Sequence, residues 1–290
     1  ERGDLVEGPA LLFIHGGPGG RLDPTQLDWA VSRCRAIAFD QRGCGRSQPP
    51  QEVANNTTTH CVEDIETLRR VLGISSFILV AGSWGSAIAV LYASAFAERV
   101  DGLVLYSPFL GSTSETHYFL TRLRHEQPTA WRAFADVAEA DAPDEIVERY
   151  YHIITGDDRA ARGRACRAWV DYEICAATNG RIRGLDDGLV RAGHHLAYAT
   201  ISCNYFRHRF FPTSDILSEN APNVSAETYI LHGTEDLVST PETAVALARA
   251  IPQARLDLID GEGHCTSGSV LESRVRDLVR DISKGRSVDG

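Results

Sequence analysis

Six short, almost purely apolar runs alternate with helical periodicity, and this alternation restricts the possible folds more than any other feature of the chain. The runs are Ala10 to Ile14, Ala36 to Phe39, Phe77 to Ala81, Leu103 to Tyr106, Thr228 to Leu231 and Leu256 to Ile259. Continuous rather than alternating hydrophobicity marks strands buried on both faces. Between them, Val62 to Leu72, Ala87 to Ala97, Pro241 to Ala250 and Val270 to Ile282 have helical spacing, with Pro241 at a first-turn position. Strand-then-helix alternation implies crossover connections, so the expected fold is α/β with a doubly wound, mostly parallel sheet. At 290 residues the chain can bury one sizeable core, or a core plus a smaller lid.

The alternation stops between about Gly111 and Pro212. That stretch carries Trp131, Trp169 and many alanines and arginines at helix-like spacing, without a convincing strand. It reads as a helical cap (111–212) inserted into a core formed by 1–110 and 213–290. An insertion at the carboxyl end of a strand roofs the place where open α/β sheets bind ligands. Arg159, Arg162, Arg164 and Arg167 recur near a helical period and are expected to form a wet face.

Charge and cysteine usage narrow the partners. Twenty-nine basic against 39 acidic residues give a net charge of -10, whose average field repels a nucleic-acid backbone. Seven cysteines with no C-x-x-C pair point to a reduced, cytoplasmic setting. The uncharged run Val71 to Ala97 is long enough for a membrane span but is broken by glycines and serines into a strand and a helix, so no membrane partner is expected. No signal-peptide pattern precedes Gly8. His194, His195 and His208 lack metal-ligand spacing, and neither a metal nor a cofactor is expected.

Ala81-Gly82-Ser83-Trp84-Gly85 lies where a strand gives way to a helix, the position of a nucleophile elbow. So sharp a turn needs small residues two before and two after the nucleophile, which Ala81 and Gly85 supply. A serine hydroxyl needs a base to attack at neutral pH, and the base needs a carboxylate to fix its tautomer. Asp236 follows one late strand candidate and His264 the next, so Ser83, Asp236 and His264 can converge on one sheet edge. His232 and Glu235 are local rivals, read as loop-structural. His15-Gly16-Gly17-Pro18-Gly19 follows the first strand, where an amide of Gly16 or Gly17 could pair with that of Trp84 as an oxyanion hole. Cys265, beside His264, could be reactive but cannot replace a serine already on the elbow.

These pieces resemble the proline iminopeptidase (prolyl aminopeptidase) branch of the α/β-hydrolases. The resemblance rests on His15-Gly16-Gly17-Pro18-Gly19, on Asp40-Gln41-Arg42-Gly43-Cys44-Gly45-Arg46-Ser47, on the Asn56-Thr57-Thr58 and Asp64-Ile65-Glu66 stretches and on Gly82-Ser83-Trp84-Gly85-Ser86. It is tight over about Gly8 to Leu110 and looser over Thr228 to Ile282. It implies a catalytic Ser83, Asp236 and His264, a helical cap, no metal, and release of an N-terminal proline or small residue from short peptides. It also implies an antiparallel strand pair ahead of the first parallel strand, for which Glu1 to Pro9 is too short.

In the family, two cap glutamates hold the substrate's free amine. Trp169-Val170-Asp171-Tyr172-Glu173 keeps the first, whereas Ser202 stands at the second, close to Tyr205. Glu173, Ser202 and Tyr205 are therefore the expected substrate-binding residues. The alternatives are an amidase, esterase, thioesterase or transacylase of specialised metabolism with altered cap specificity, or a non-catalytic binding module on the same fold.

Overall fold

A computed structural model describes residues 9–30, 34–182, 184, 193–211, 214–264 and 267–284. Its strands are β1 (Ala10–Ile14), β2 (Arg35–Ala38), β3 (Phe77–Gly82), β4 (Val100–Tyr106), β5 (Glu227–Gly233) and β6 (Ala254–Ile259). They form one sheet in the order β2-β1-β3-β4-β5-β6, and every pairing is parallel. Each strand overlaps its apolar run. β4 starts earlier than its run because Val100-Asp101-Gly102 also joins the ladder, where the polar pair hides the strand from a hydrophobicity reading.

The helices on the sheet are α1 (Thr58–Val71), α2 (Trp84–Ala95), α8 (Pro241–Ala250) and α9 (Val270–Ser283). Ile65 of α1, Ala89 of α2 and Leu247 of α8 share a core with Leu12 and Leu79. Leu271, Val275 and Val279 of α9 meet Leu11, Phe13 and Val104 on the other face. The sheet is thus covered on both sides, and β1 and β3 are buried throughout. Each such large apolar side chain contributes about 1.5–3 kcal/mol by leaving water. β6 departs from the expected two-faced burial. It is an edge strand with Arg255, Asp257 and Leu258 exposed, because α9 packs over β4 and β5 instead.

Between β4 and β5 come α3 (Thr113–Glu126), α4 (Pro128–Ala138), α5 (Pro143–Thr155), α6 (Arg159–Ala177) and α7 (His194–Arg207), with no strand among the described residues. They carry an aromatic centre of their own. Phe134 stacks on Tyr150 and Tyr172 with ring centroids 4.7 and 4.1 Å apart, and Trp169 packs edge-on against Phe134 and Tyr150. The arginines of α6 do not form one wet face. Arg159 and Arg164 are exposed, but Arg162 donates to Gln51, which lies between β2 and α1, and Arg167 is held by Asp171 at 2.8 Å. Arg162 thus fastens α6 to the segment that follows β2, although its spacing among the other arginines assigned it to solvent.

α1 is clamped to α2 by one carboxylate. Glu66 accepts from Arg69 through both guanidinium arms at 2.8 Å, from Arg70 at 2.7 Å and from the Tyr92 hydroxyl at 3.0 Å. The Arg69 hydrogen bonds dominate in holding its pKa down to about 2 from the usual 4.5. Its contribution to stability is therefore complete above the ordinary carboxylate range and disappears as pH falls from there toward the folded-state value. We expect Glu66→Gln to cost about 2 kcal/mol at pH 7, after allowance for solvent screening. Urea melts should show that gap closing below about pH 3; equal midpoints at pH 7 would contradict it.

No helix among the described residues is long and apolar enough to cross a membrane. Cys34, Cys44, Cys61, Cys166, Cys175 and Cys203 are free and buried. Cys265 lies outside the described residues.

Candidate active site

Ser83 occupies the turn from β3 into α2 with φ 54° and ψ -130°, a conformation costing on the order of 1–3 kcal/mol for a non-glycine residue. Its neighbours show what over-determines the turn. A Cβ on Gly82 would lie 2.1 Å from the Tyr106 ring, and one on Gly85 would lie 2.5 Å from the Ile14 carbonyl oxygen. The crowded position ahead of the serine is thus Gly82, while Ala81 sits within β3 and tolerates its methyl. The Ser83 amide donates to the Tyr106 carbonyl at 3.0 Å, tying the elbow to β4.

Asp236 follows β5 and His264 follows β6. His264 Nδ1 lies 2.7 Å from Asp236 Oδ2, while Asp236 Oδ1 accepts the amides of Val238 at 2.7 Å and Ser239 at 3.0 Å. Burial of this carboxylate works to raise its pKa, but the neighbouring His264 and these hydrogen bonds overcome it, so the group stays below the ordinary aspartate range. His232 is also buried, 3.7 Å from Asp236 Oδ2, with Nε2 3.3 Å from the Ser239 carbonyl oxygen. Burial lowers its pKa, so it stays neutral and braces the loop. Glu235 is exposed.

Ser83 and His264 share one cavity of about 460 Å³, which Gly16, Gly17, Glu173 and Phe206 also line. Gly16 passes so close that its Cβ would lie 2.8 Å from that of Ser83. His15 and Gln41 hold this loop. His15 Nε2 accepts the Gln41 amide at 3.0 Å, Nδ1–H donates to the Gly16 carbonyl at 2.8 Å, and the Gln41 side chain donates to the His15 carbonyl at 2.7 Å. Burial lowers the His15 pKa and keeps the ring in this neutral form. Asp40 accepts the Leu22 and Arg46 amides, and Arg42 grips Asp64, so the Asp40 to Ser47 stretch braces the same edge. The Trp84 ring is buried against Tyr205 and Phe210, outside the cavity, leaving the backbone at Trp84 as its link to the elbow.

Across the cavity, Glu173 of α6 is surrounded by neutral donors. Oε1 accepts from Trp169 Nε1 at 2.5 Å and from Ser202 Oγ at 2.7 Å, and Oε2 accepts from the Tyr198 hydroxyl. Burial dominates and raises the Glu173 pKa against these hydrogen bonds. No cationic side chain pairs with it among the described residues. Ser202 is fully buried and also accepts from Trp169 at 3.1 Å, so it acts on the cavity through Glu173. Tyr198 is a member of this cluster absent from the sequence expectations, and Trp169 entered them only as part of the Glu173 motif. Their signal was the i,i+4 pairing of Trp169 with Glu173 on α6 and of Tyr198 with Ser202 on α7.

Tyr205 requires a correction. It is buried away from the cavity, its hydroxyl donating to Asn56 at 3.1 Å and contacting Cys61 Sγ at 3.4 Å. It fastens α7 to α1 rather than facing a substrate.

The sequence matches the alpha/beta hydrolase fold family over residues 9–268. It is 34% identical to a probable proline iminopeptidase of Leptolyngbya boryana, covering 98% of this chain and 88% of that protein. It is 32% identical to the proline iminopeptidase of Neisseria gonorrhoeae, covering 95% and 89%. Among solved structures, a meta-cleavage product hydrolase of Pseudomonas fluorescens superposes with a TM-score of 0.64 at 22% identity, over 97% of this chain and 92% of that one. A proline iminopeptidase-related protein of Thermus thermophilus superposes with a TM-score of 0.60 at 23% identity, over 94% and 88%. A parallel sheet with an elbow serine, a histidine on a buried aspartate and near-full-length similarity together identify the chain as an enzyme of the α/β-hydrolase family, on its proline iminopeptidase branch.

Proposed function

We propose that the protein removes an N-terminal proline or similarly small residue from short peptides through an acyl-enzyme. Ser83 attacks the carbonyl carbon while His264 takes the hydroxyl proton, and Asp236 holds the imidazole with Nδ1–H toward itself. The backbone amides of Trp84 and of Gly16 or Gly17 receive the developing oxyanion. His264 returns the proton to the departing amine, and water then releases the acyl group by the same steps reversed. In this reading the helices within 111–212 are the cap, supplying recognition, and 1–110 with 213–290 is the core that supplies chemistry.

The observation that carries the substrate class is the Glu173 carboxyl group, part-buried and held by three neutral donors on the cavity that Ser83 and His264 also line. A carboxyl group with no cationic partner among the described residues is well placed to receive a cation, whose charge would in turn favour its ionised form. The free α-amine of a peptide is one at neutral pH. Glu173→Gln removes one charge-assisted hydrogen bond, about 1.5–3 kcal/mol, so kcat/KM on prolyl arylamides should fall roughly 10–100-fold. Activity on simple aryl esters should change little. A panel of prolyl arylamide, its N-acetyl form and an aryl ester checks this; equal kcat/KM for the free and acetylated amides would refute amine recognition.

Ser202 favours a second reading on the same chemistry. The family resemblance leads one to expect a second carboxylate there, and its replacement by a neutral hydroxyl lowers the negative charge available to an ammonium. A better uncharged acyl substrate is the corresponding outcome of the same panel.

A further inference from the structure

We propose that Asn179 is a positioning residue that fixes the Asp236 and His264 loops against the helix carrying Glu173. The inference rests on the triad reading above. Asn179 lies in the turn that ends α6, at φ 50°. Such a residue is an ordinary helix terminator, but termination does not require its side chain to reach another part of the fold. Here the side chain crosses to the core. Nδ2 donates to the Glu235 carbonyl at 2.9 Å, directly ahead of Asp236. The same amide fills the space beside Gly263, directly ahead of His264, where a Cβ would lie 2.7 Å from Oδ1 and 2.9 Å from Nδ2. One side chain therefore touches the residue preceding each of two triad members.

The two loops are already joined, since the Glu235 amide donates to the Glu262 carbonyl at 2.8 Å. A second contact from the inserted helices lands on the same loop, the Tyr118 hydroxyl of α3 donating to the Asp236 carbonyl at 3.0 Å. Asn179 Oδ1 is buried with no hydrogen-bond partner among the described residues. Because Glu173 sits near the end of the same helix, recognition and chemistry share one mechanical connection.

Asn179→Gly separates the two roles, since glycine keeps the left-handed turn and removes only the amide. We expect kcat on prolyl arylamide to fall about tenfold, as for a small misplacement of reacting groups, with KM within about twofold and the thermal midpoint unchanged or raised. Asn179→Asp, of equal size but unable to donate to Glu235, should lose at least as much. Gly263→Ala should lose activity alone yet add no further loss in the Asn179→Gly background, where the space is vacant. Unchanged kcat in Asn179→Gly, or losses that multiply in the double variant, would overturn the proposal. Fluorophosphonate labelling of Ser83 in the unmodified protein tests the underlying triad separately. If Ser83 does not label, that reading fails; if it labels, the Asn179 variants decide this one.

Discussion

Ser83→Ala should lower turnover of the best substrate by about four to six orders of magnitude while the protein stays folded. On the proposed mechanism the size follows from the loss of the route to an acyl-enzyme: without the hydroxyl, His264 would have no proton to take, and only the proposed oxyanion hole would act on a bound substrate. The strained turn persists because Gly82 and Gly85 are wedged against Tyr106 and Ile14, so circular dichroism and the thermal midpoint should match the unmodified protein. Stopped assays on prolyl arylamide, with mass-spectrometric mapping of a fluorophosphonate adduct, provide the check. A variant working at a near-normal rate would end the acyl-enzyme proposal.

Asp236→Asn should be nearly as severe, with kcat falling by about four orders of magnitude. Asp236 Oδ2 sits 2.7 Å from His264 Nδ1 and Oδ1 is held by two backbone amides, so the asparagine side chain would keep its oxygen toward those amides and turn its NH₂ toward the ring. The ring must then accept at Nδ1 and carry its proton on Nε2, where it blocks acceptance from Ser83. His232 cannot substitute, because it is buried and committed to the Ser239 carbonyl. Loss of kcat with little change in KM is the expected signature. A variant within tenfold of the unmodified enzyme would remove Asp236 from the role of orienting carboxylate.

The parts of this molecule that could be read from sequence are those where one physical pattern determines one local structure. β1 and α8 coincide with their apolar run and their Pro-initiated helical pattern because burial on two faces and a first-turn proline each leave little choice. The placement of Ser83, Asp236 and His264 at one sheet edge was legible because each follows a strand, and parallel strands deliver their carboxyl ends to one edge. β6 was misjudged because hydrophobicity does not reveal which strand lies at a sheet edge. Tyr205 was misassigned because proximity in sequence to Ser202 says nothing about where its hydroxyl points. The donors around Glu173 and the reach of Asn179 to Glu235 depend on how helices pack across the fold, and no local pattern encodes that.

The strands on either side of the inserted helices, β4 and β5, are neighbours that pair Leu105 with Ile230 and Tyr106 with Leu231. The chain therefore leaves the sheet and returns to it at adjoining positions. Everything in between can be exchanged as a cassette without new strand pairing, since a single crossover helix suffices to join parallel neighbours. Among the joints that any incoming cassette must rebuild are those through which Tyr118 reaches the Asp236 carbonyl and Asn179 reaches Glu235 and Gly263, the residues preceding Asp236 and His264.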